Sequence, residues 1–344
     1  MRKSNRIKRQ ILQRLSGGKT RVYELIYYQD SSLPEVFEIL QEMKKDHIIK
    51  IEGGIVELTD KGKSEVDKLG IENFGDIYCS NCKGTGIDFS SEFSNVLMEY
   101  KRICKDRPNA IWNFDQGFMS EEGVARRAEF IYERGELTNT QIFIVGDDDL
   151  LSIFAGLTGL PRRIVVVDID KRIVDFISRV AKEKNLDIEA FVYDVQQEFP
   201  DSLKKNFDIF ITDPVETLPG INLFLSRGVS TLKGIGCSGY FGLTTLEASM
   251  KKWYKIEKII LKMGFVITDI KRHFNVYPNE EKNFFRYQSR LLIVKKLGFE
   301  INYNWYNSSL VRIEAIKEPK PLIEGEMVID EKVYRDKESW ATSY

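Results

Sequence analysis

The 344-residue sequence predicts an α/β protein: a doubly wound, largely parallel sheet preceded by a smaller α+β domain. Three observations predict it. From Gln141 onward, apolar runs of strand length alternate with helix-length segments. The runs are too continuous for a sheet with one wet face and suit strands buried on both sides. Before Gln141, helical periodicity dominates, broken by two short strand-like runs around Gly53 and Gly54.

Residues 3–16 place Ile7, Ile11, Leu12 and Leu15 on one helix face. "GGKTRVYELIYYQ" restarts the pattern after two glycines, and "SSLPEVFEILQEMKKDHII" is a third helix with a Ser cap and an early Pro34. "KIEGGIVELTDKGKSEVDKL" reads as two short strands and a helix. Three helices and a small hairpin over residues 1–72 resemble a winged helix, which implies DNA binding. With a net charge of -1, a docking or dimerisation module is the competing expectation, so nucleic acid stays open as a partner.

Residues 73–140 read as a linker and a helical segment. "IYCSNCKGTG" offers Cys79 and Cys82, two zinc ligands with no second pair nearby, so a tight knuckle without metal is expected. Four cysteines are too few for a disulfide framework, and two histidines argue against a His-rich metal site. "FDQG" (114–117) interrupts the helical pattern before Ser120, Glu121 and Glu122 open a new helix.

The catalytic domain is expected over 141–317. Its strands are predicted at 142–145, 163–170, 188–195, 207–214 and 236–244, with a long helix after the fifth. "FVITDIKRHF" and "SRLLIVKK" are predicted as a closing strand pair. Residues 318–344 are polar and are expected to form a flexible tail; a lid is the alternative, because Trp340 and Tyr344 are unusual residues to leave in solvent. No apolar run is long enough to span a bilayer, and the basic N-terminus lacks the apolar core of a signal peptide. The expectation is a cytoplasmic protein with no membrane partner.

Ligands of doubly wound sheets bind at the carboxyl ends of the strands. Here those ends are acidic: Asp147, Asp148 and Asp149 after the first strand, Asp168 and Asp170 at the second, Asp194 at the third, Asp213 and Glu216 after the fourth. Each acid alone could be a helix cap. Four acidic exits on one rim point to a cationic ligand. Asp168 is placed to accept from both ribose hydroxyls, with Asp170 as its backup or as a cap, and Asp194 to accept from an adenine amino group. Gly146 opens the first turn, but three aspartates there would repel a pyrophosphate, which excludes a dinucleotide. An adenosine with a positive tail fits.

"IVVVDID" and "ITDPVET" resemble motifs of the Rossmann-like S-adenosylmethionine-type domains. Those domains hold the cofactor's carboxylate at the first turn, where aspartates would repel it. Decarboxylated S-adenosylmethionine lacks that carboxylate. Spermidine synthases use it, and their first-turn and fourth-strand motifs lie over Gly146, Asp149, Asp213 and Glu216. The "GDDD" turn, the "FDQG" segment and the N-terminal domain resemble more closely the branched-chain polyamine, or bis(aminopropyl)spermidine, synthase family. That resemblance covers essentially the full chain and is most specific at 115–116, 146–149, 168–170 and 213–216.

The resemblance implies aminopropyl transfer from decarboxylated S-adenosylmethionine to a secondary amine of spermidine, without a metal, giving branched polyamine and methylthioadenosine. The amine arrives protonated at its ordinary pKa of about 10, so a carboxylate must accept a proton. Asp149 and Asp148 are the first candidates, ahead of Asp147, which the turn itself can occupy. The spermidine synthase motif favours Asp213 instead, and both assignments stay open. Asp115, Gln116 and Glu121 are expected on the second wall, and Tyr240 and Phe241 against methylenes or cations. A homodimer is expected. Two rivals remain: a methyltransferase acting on an amine in RNA, protein or a small molecule, and a non-catalytic winged-helix regulator.

Overall fold

Helix α1 (Lys3–Ser16), strand β1 (Thr20–Arg21), helices α2 (Val22–Tyr27) and α3 (Leu33–Lys45), strands β2 (Ile49–Glu52) and β3 (Ile55–Leu58), and helix α4 (Asp60–Leu69) build the N-terminal α+β region. The computed structural model describes residues 3–342 apart from 74, 76, 77, 83 and 329; Tyr344 lies outside the described residues. Gly53 and Gly54 turn the hairpin at φ 55° and 77°, and the small antiparallel sheet runs β1-β3-β2. Ser32 and Glu35 close a capping box on α3, with Pro34 in its first turn. The region docks firmly. The Tyr23 hydroxyl donates to the Phe299 carbonyl at 2.9 Å, and the Leu33 N–H to the Leu246 carbonyl at 2.7 Å.

Helices α5 (Ser91–Cys104) and α6 (Glu121–Glu133) lead into the main sheet. Its strands are β4 (Gln141–Val145), β5 (Arg163–Asp168), β6 (Ile188–Val192), β7 (Ile209–Thr212), β8 (Ser238–Leu243), β9 (Phe265–Val276) and β10 (Asn307–Ala315). They lie in the order β6-β5-β4-β7-β8-β10-β9. The first five are parallel; β10 runs antiparallel between β8 and β9. Helices α7 (Leu151–Leu157), α8 (Lys171–Lys184), α9 (Leu218–Thr231) and α10 (Met250–Lys262) cross over between the strands. Alternation along β4 separates two cores: Ile142 and Ile144 belong to the one that includes α5–α8 and extends to the N-terminal region, Phe143 and Val145 to the one that includes α9 and α10. The strand order reverses beside β4, which puts the ligand crevice at the carboxyl ends of β4, β5 and β7.

One predicted strand is corrected. "SRLLIVKK" is helical, a 3-10 stretch (Phe284–Arg290) followed by α11 (Leu292–Leu297). The partner of β9 is instead Asn307–Ala315. A short apolar run such as Leu291–Leu292–Ile293–Val294 carries no period that separates strand from buried helix. The C-terminal stretch, expected to be loose, is seated on α9 and borders the crevice at Ala341 and Thr342. Arg227 donates to the carbonyls of Glu324 (3.1 Å) and Gly325 (2.8 Å), and the Ser226 hydroxyl accepts from the Leu322 and Ile323 N–H groups. Helix α12 (Glu331–Tyr334) follows, and Trp340 packs edge-on to Phe37 of α3. Among the described residues no helix is long and apolar enough to cross a membrane.

Candidate active site

The three aspartates after β4 go three ways. Gly146 turns the chain at φ 74°, in open space. The Asp147 carboxylate then accepts from the Leu151 and Ser152 N–H groups at 2.8 and 3.1 Å, capping α7 from below. Asp147 is not on the cleft wall, contrary to its expected contact with substrate; the helix start uses its oxygens. Asp149 turns the other way. Its carboxylate accepts from the Met119 N–H at 2.6 Å and lies 3.8 Å from Arg127, and its carbonyl accepts from Tyr100 and Arg107. Asp149 therefore stands behind the cleft wall. Of the three, only Asp148 enters the cleft, and among the described residues its carboxylate has one hydrogen bond, from the Gly117 N–H at 3.0 Å.

The cleft encloses about 1280 Å³ of empty space, its mouth included. Its acids are Asp115, Asp148, Asp168, Asp194, Asp213, Glu216 and Glu247. Asp213 is held by Arg127 at 3.0 Å to both oxygens and by the Gly242 N–H at 2.7 Å. Glu216 spends one oxygen on the Thr244 N–H at 2.7 Å; its other oxygen is buried with no partner among the described residues. Glu247 accepts from the Ala341 N–H (2.6 Å), the Thr342 N–H (3.1 Å) and the Tyr306 hydroxyl (2.9 Å). Glu247 was not anticipated, although it obeys the same rule as the others: an acid just past the carboxyl end of a strand, here β8. Tyr277, Tyr306 and Phe284 add an aromatic wall from the segment after β9, and Tyr334, Ala341 and Thr342 add one from the C-terminal stretch.

On the β5 side, Asp168 accepts from the Asp147 and Asp170 N–H groups at 3.0 and 2.8 Å and faces the cleft beside Ile169. Asp194 lines the cleft between Tyr193 and Val195, its oxygens accepting from the Gln196 N–H and side-chain amide. Asp170 does not line it. It caps α8, pairs with Arg172 at 2.5 Å and accepts from the Gln116 amide at 2.9 Å. Gln116 in turn accepts from the Ile111 N–H, so it ties the 111–117 loop to α8. Asp115 sits in the left-handed region at φ 52° and borders the cleft. Glu121 does not line it. Tyr240 is a further correction. It is fully buried, and its hydroxyl bonds Glu136 and Arg312. Tyr240 and Phe241 belong to the two cores on opposite faces of the sheet, and the next residue, Gly242, is the one that reaches the cleft.

Burial raises Asp115, Asp147, Asp148, Glu216 and Glu247, and repulsion, second, adds to it at the first four. Asp148 is pushed up to about 7, first by burial and then by Asp168 and Asp213. Asp147 also rises to about 7, mainly by burial. Burial, with Glu247 close by, drives Asp115 and Glu216 well above the carboxylate range, and burial raises Glu247 itself. Asp170 goes down: burial works upward, but Arg172 and Gln116 outweigh it. Burial first, and mutual repulsion second, hold Asp115, Asp148 and Glu216 toward their protonated forms, and a bound polycation would draw them back to the ionised form. Among the described residues no group of three or more His, Cys, Asp or Glu side chains is arranged to hold a metal ion.

Residues 95–341 match the family model described as the branched-chain polyamine synthase A C-terminal domain. The chain belongs to the branched-chain polyamine synthase family. Among curated relatives, the N(4)-bis(aminopropyl)spermidine synthase of Thermococcus kodakarensis is 39% identical, over 93% of this chain and 91% of its own length. The synthase of the same name from Methanocaldococcus jannaschii is 36% identical, over 93% and 90%. The crystal structure of the Thermus thermophilus branched-chain polyamine synthase superposes with a TM-score of 0.86 at 30% identity, covering 98% of this chain and 93% of that one. That structure holds N4-aminopropylspermidine and 5'-methylthioadenosine.

Two expectations test the branched-chain synthase site as built. A Cβ on Gly242 would lie 2.5 Å from the Asp213 carboxylate, which Arg127 prevents from yielding. Gly242→Ala is expected to cut kcat by roughly 10- to 100-fold, because a misplacement of about 1 Å costs on that order. An unchanged kcat with an unchanged circular dichroism spectrum would refute the contact. The second concerns pH. The raised native pKa values mean that the ligand-free fold holds more protons than the unfolded chain, so its stability falls as pH rises toward about 7. Thermal unfolding should show a midpoint that drops from about pH 5 to 8, and added spermidine should stabilise most at the upper end. A polyamine-induced shift that does not change with pH would contradict it.

Proposed function

We propose that this chain transfers aminopropyl groups from decarboxylated S-adenosylmethionine to the secondary amine of spermidine, giving a tertiary and then a quaternary branched product. The carrying observation is the junction of two half-sites in one cleft: Asp168 and Asp194 on the adenosine side, and Asp148, Asp213, Glu216, Glu247 and Asp115 on the other. The donor's sulfonium and ammonium and the acceptor's ammonium groups are all cations, and no group of either carries a negative charge for these acids to repel.

The residues divide the work. Asp168 and Asp194 hold ribose and adenine by accepting hydrogen bonds. Glu216, with its unpartnered oxygen, takes an ammonium group of the donor or acceptor. Asp148 accepts the proton of the attacking nitrogen, which frees the lone pair. The nitrogen attacks the carbon beside the sulfonium, the N–C bond forms, and the C–S electron pair leaves with methylthioadenosine. A tertiary ammonium must also lose its proton before it can attack, so the second round uses the same base. Asp213 and Asp149, joined through Arg127, keep the wall in place; Asp149 acts here as a positioning residue and Asp213 as a charge partner for the substrate. A methyl donor with its carboxylate intact would meet Asp148 at the first turn, which is why the methyltransferase reading ranks second.

The helix–strand–helix–helix–strand–strand order of the N-terminal region supports a winged-helix-like domain over 1–72. We read 73–140 as a Cys-x-x-Cys linker and helical segment, 141–317 as the catalytic domain and 318–344 as a tail that lids the cleft, a role supported by Ala341 and Thr342 in its lining. The Leu33–Leu246 bond, one residue from Glu247, favours docking over nucleic-acid reading as the N-terminal domain's role. We place the enzyme in the cytoplasm as a homodimer without a metal; a monomer in sedimentation equilibrium would overturn the homodimer. The deciding assay is mass spectrometry of products from spermidine and decarboxylated S-adenosylmethionine. A product heavier by two aminopropyl units with one quaternary nitrogen is expected. Turnover of S-adenosylmethionine instead would promote the methyltransferase.

A further inference from the structure

A second cavity, about 1600 Å³ with its mouth included, lies between the N-terminal region, the Cys79 loop and β9. It is separate from the active cleft and its chemistry is opposite. Its walls carry Tyr28, Tyr78, Tyr303, Lys271, Arg272 and His273, and among its lining residues there is no carboxylate. Three features show that it is built. The β9–β10 register slips here: Asn275 faces Ser308 and Lys271 faces Leu310, so three residues, Arg272 to Phe274, stand against one. Bulges of this kind re-aim side chains. His273 inside the bulge is held at φ 51°, a conformation that costs a non-glycine residue free energy. Its Nδ1 is buried with no hydrogen-bond partner among the described residues.

The cations lack counter-charges. Neither Lys271 nor Arg272 makes an ion pair among the described residues, and Asp30, the acid that acts on Arg272, is committed to Arg6 at 2.5 and 2.6 Å. Burial depresses the Arg272 pKa, the mark of a partly desolvated guanidinium without a full partner. Beside these cations, Tyr28 and Tyr78 stack on one another with ring centroids 6.3 Å apart and planes within 20°, and the Arg14 guanidinium lies 3.7 Å over the Tyr28 ring, adding a further cation. A guanidinium and an ammonium next to aromatic faces suit an anion joined to a planar ring. They repel a polyamine.

We propose that this pocket binds a nucleoside phosphate, with Arg272 and Lys271 receiving the phosphate and the base packing against the Tyr28–Tyr78 pair. The test is calorimetric titration of the full chain with each of the four common ribonucleoside 5'-monophosphates, under saturating methylthioadenosine to occupy the adenosine side of the active cleft. Inorganic phosphate and the free nucleosides serve as controls. The expected result is one saturable nucleotide site per chain, weakened at least about 10-fold in the Lys271→Gln/Arg272→Gln double variant and by Tyr28→Leu, with aminopropyl transfer by the double variant unchanged. Arg272→Lys alone should retain most of the affinity, which separates lost charge from lost fold. No saturable binding, binding abolished by methylthioadenosine, or binding unaffected by the double variant would each overturn the proposal. Inorganic phosphate binding as tightly as the best nucleotide would remove the base from it.

Discussion

Asp148→Asn is expected to lower kcat by about 10²- to 10⁴-fold, the usual contribution of a positioned general base. The argument rests on which acid is both reachable and basic. Asp213 faces the cleft, but Arg127 holds both its oxygens and the Gly242 N–H occupies one of them. Asp149 is behind the wall. Asp148 has a single N–H contact and a pKa pushed up to about 7 by burial and by two like charges. A base of that strength takes a proton readily near neutrality. The profile of kcat/KM should therefore rise with pH and level off above about 7, since it reports the free enzyme. The limb for kcat should lie lower, because a bound polycation favours the ionised carboxylate. Asp148→Asn should abolish the limb, whereas Asp213→Asn should lower the rate and keep it. The asparagine removes a buried charge that two neighbours repel, so the thermal midpoint should stay level or rise. A variant that loses activity only by unfolding would count against the assignment, as would one that keeps the ascending limb.

Much of this was legible in the sequence because the signals were local. Strand length, alternation and the position of acids relative to strand ends depend on a few consecutive residues, and they located Asp148, Asp168, Asp194, Asp213 and Glu216 around one cleft. Glu247 obeys the same rule and was within reach of it. The division of labour among Asp147, Asp148 and Asp149 was not. It depends on which N–H groups the tertiary structure brings to each carboxylate, and three identical residues in a row carry no mark of that. Tyr240 looked like a site residue because it lies near the carboxyl end of its strand. Glu136 and Arg312, 104 and 72 residues away, decide otherwise. The helix at Leu292–Leu297 was misread because tertiary context overrides a short apolar run. The aromatic wall of Tyr277, Phe284 and Tyr306 comes from an irregular segment with no periodicity to read.

Arg127 gave no sequence signal either, yet its loss should have the largest structural effect. It sits in the middle of α6 as one of two adjacent arginines, and it is 2% exposed. Its guanidinium lies between Asp213 at 3.0 Å and Asp149 at 3.8 Å. Burial alone would lower its pKa, but the two carboxylates hold it firmly charged. One cation therefore serves two buried acids, and Asp149 is already raised well above the carboxylate range by burial, Asp213 and Asp148. Arg127→Met keeps the volume and removes the charge, leaving both acids to one another. The expected cost is about 3–5 kcal/mol of stability at neutral pH, the range for breaking a buried pair from one side. The sign of its pH dependence follows. Without the cation, Asp149, already raised by burial, holds its proton to still higher pH in the fold than in the unfolded chain. The deficit of the variant should therefore shrink as pH falls toward about 4 and grow as it rises. Adding Asp149→Asn to Arg127→Met removes one of the stranded charges and should recover part of the loss. Denaturant unfolding of the four members of that cycle reads the coupling directly: additive effects would mean that Arg127 acts through packing, and a coupling above about 1 kcal/mol would mean that it acts through the acids it joins.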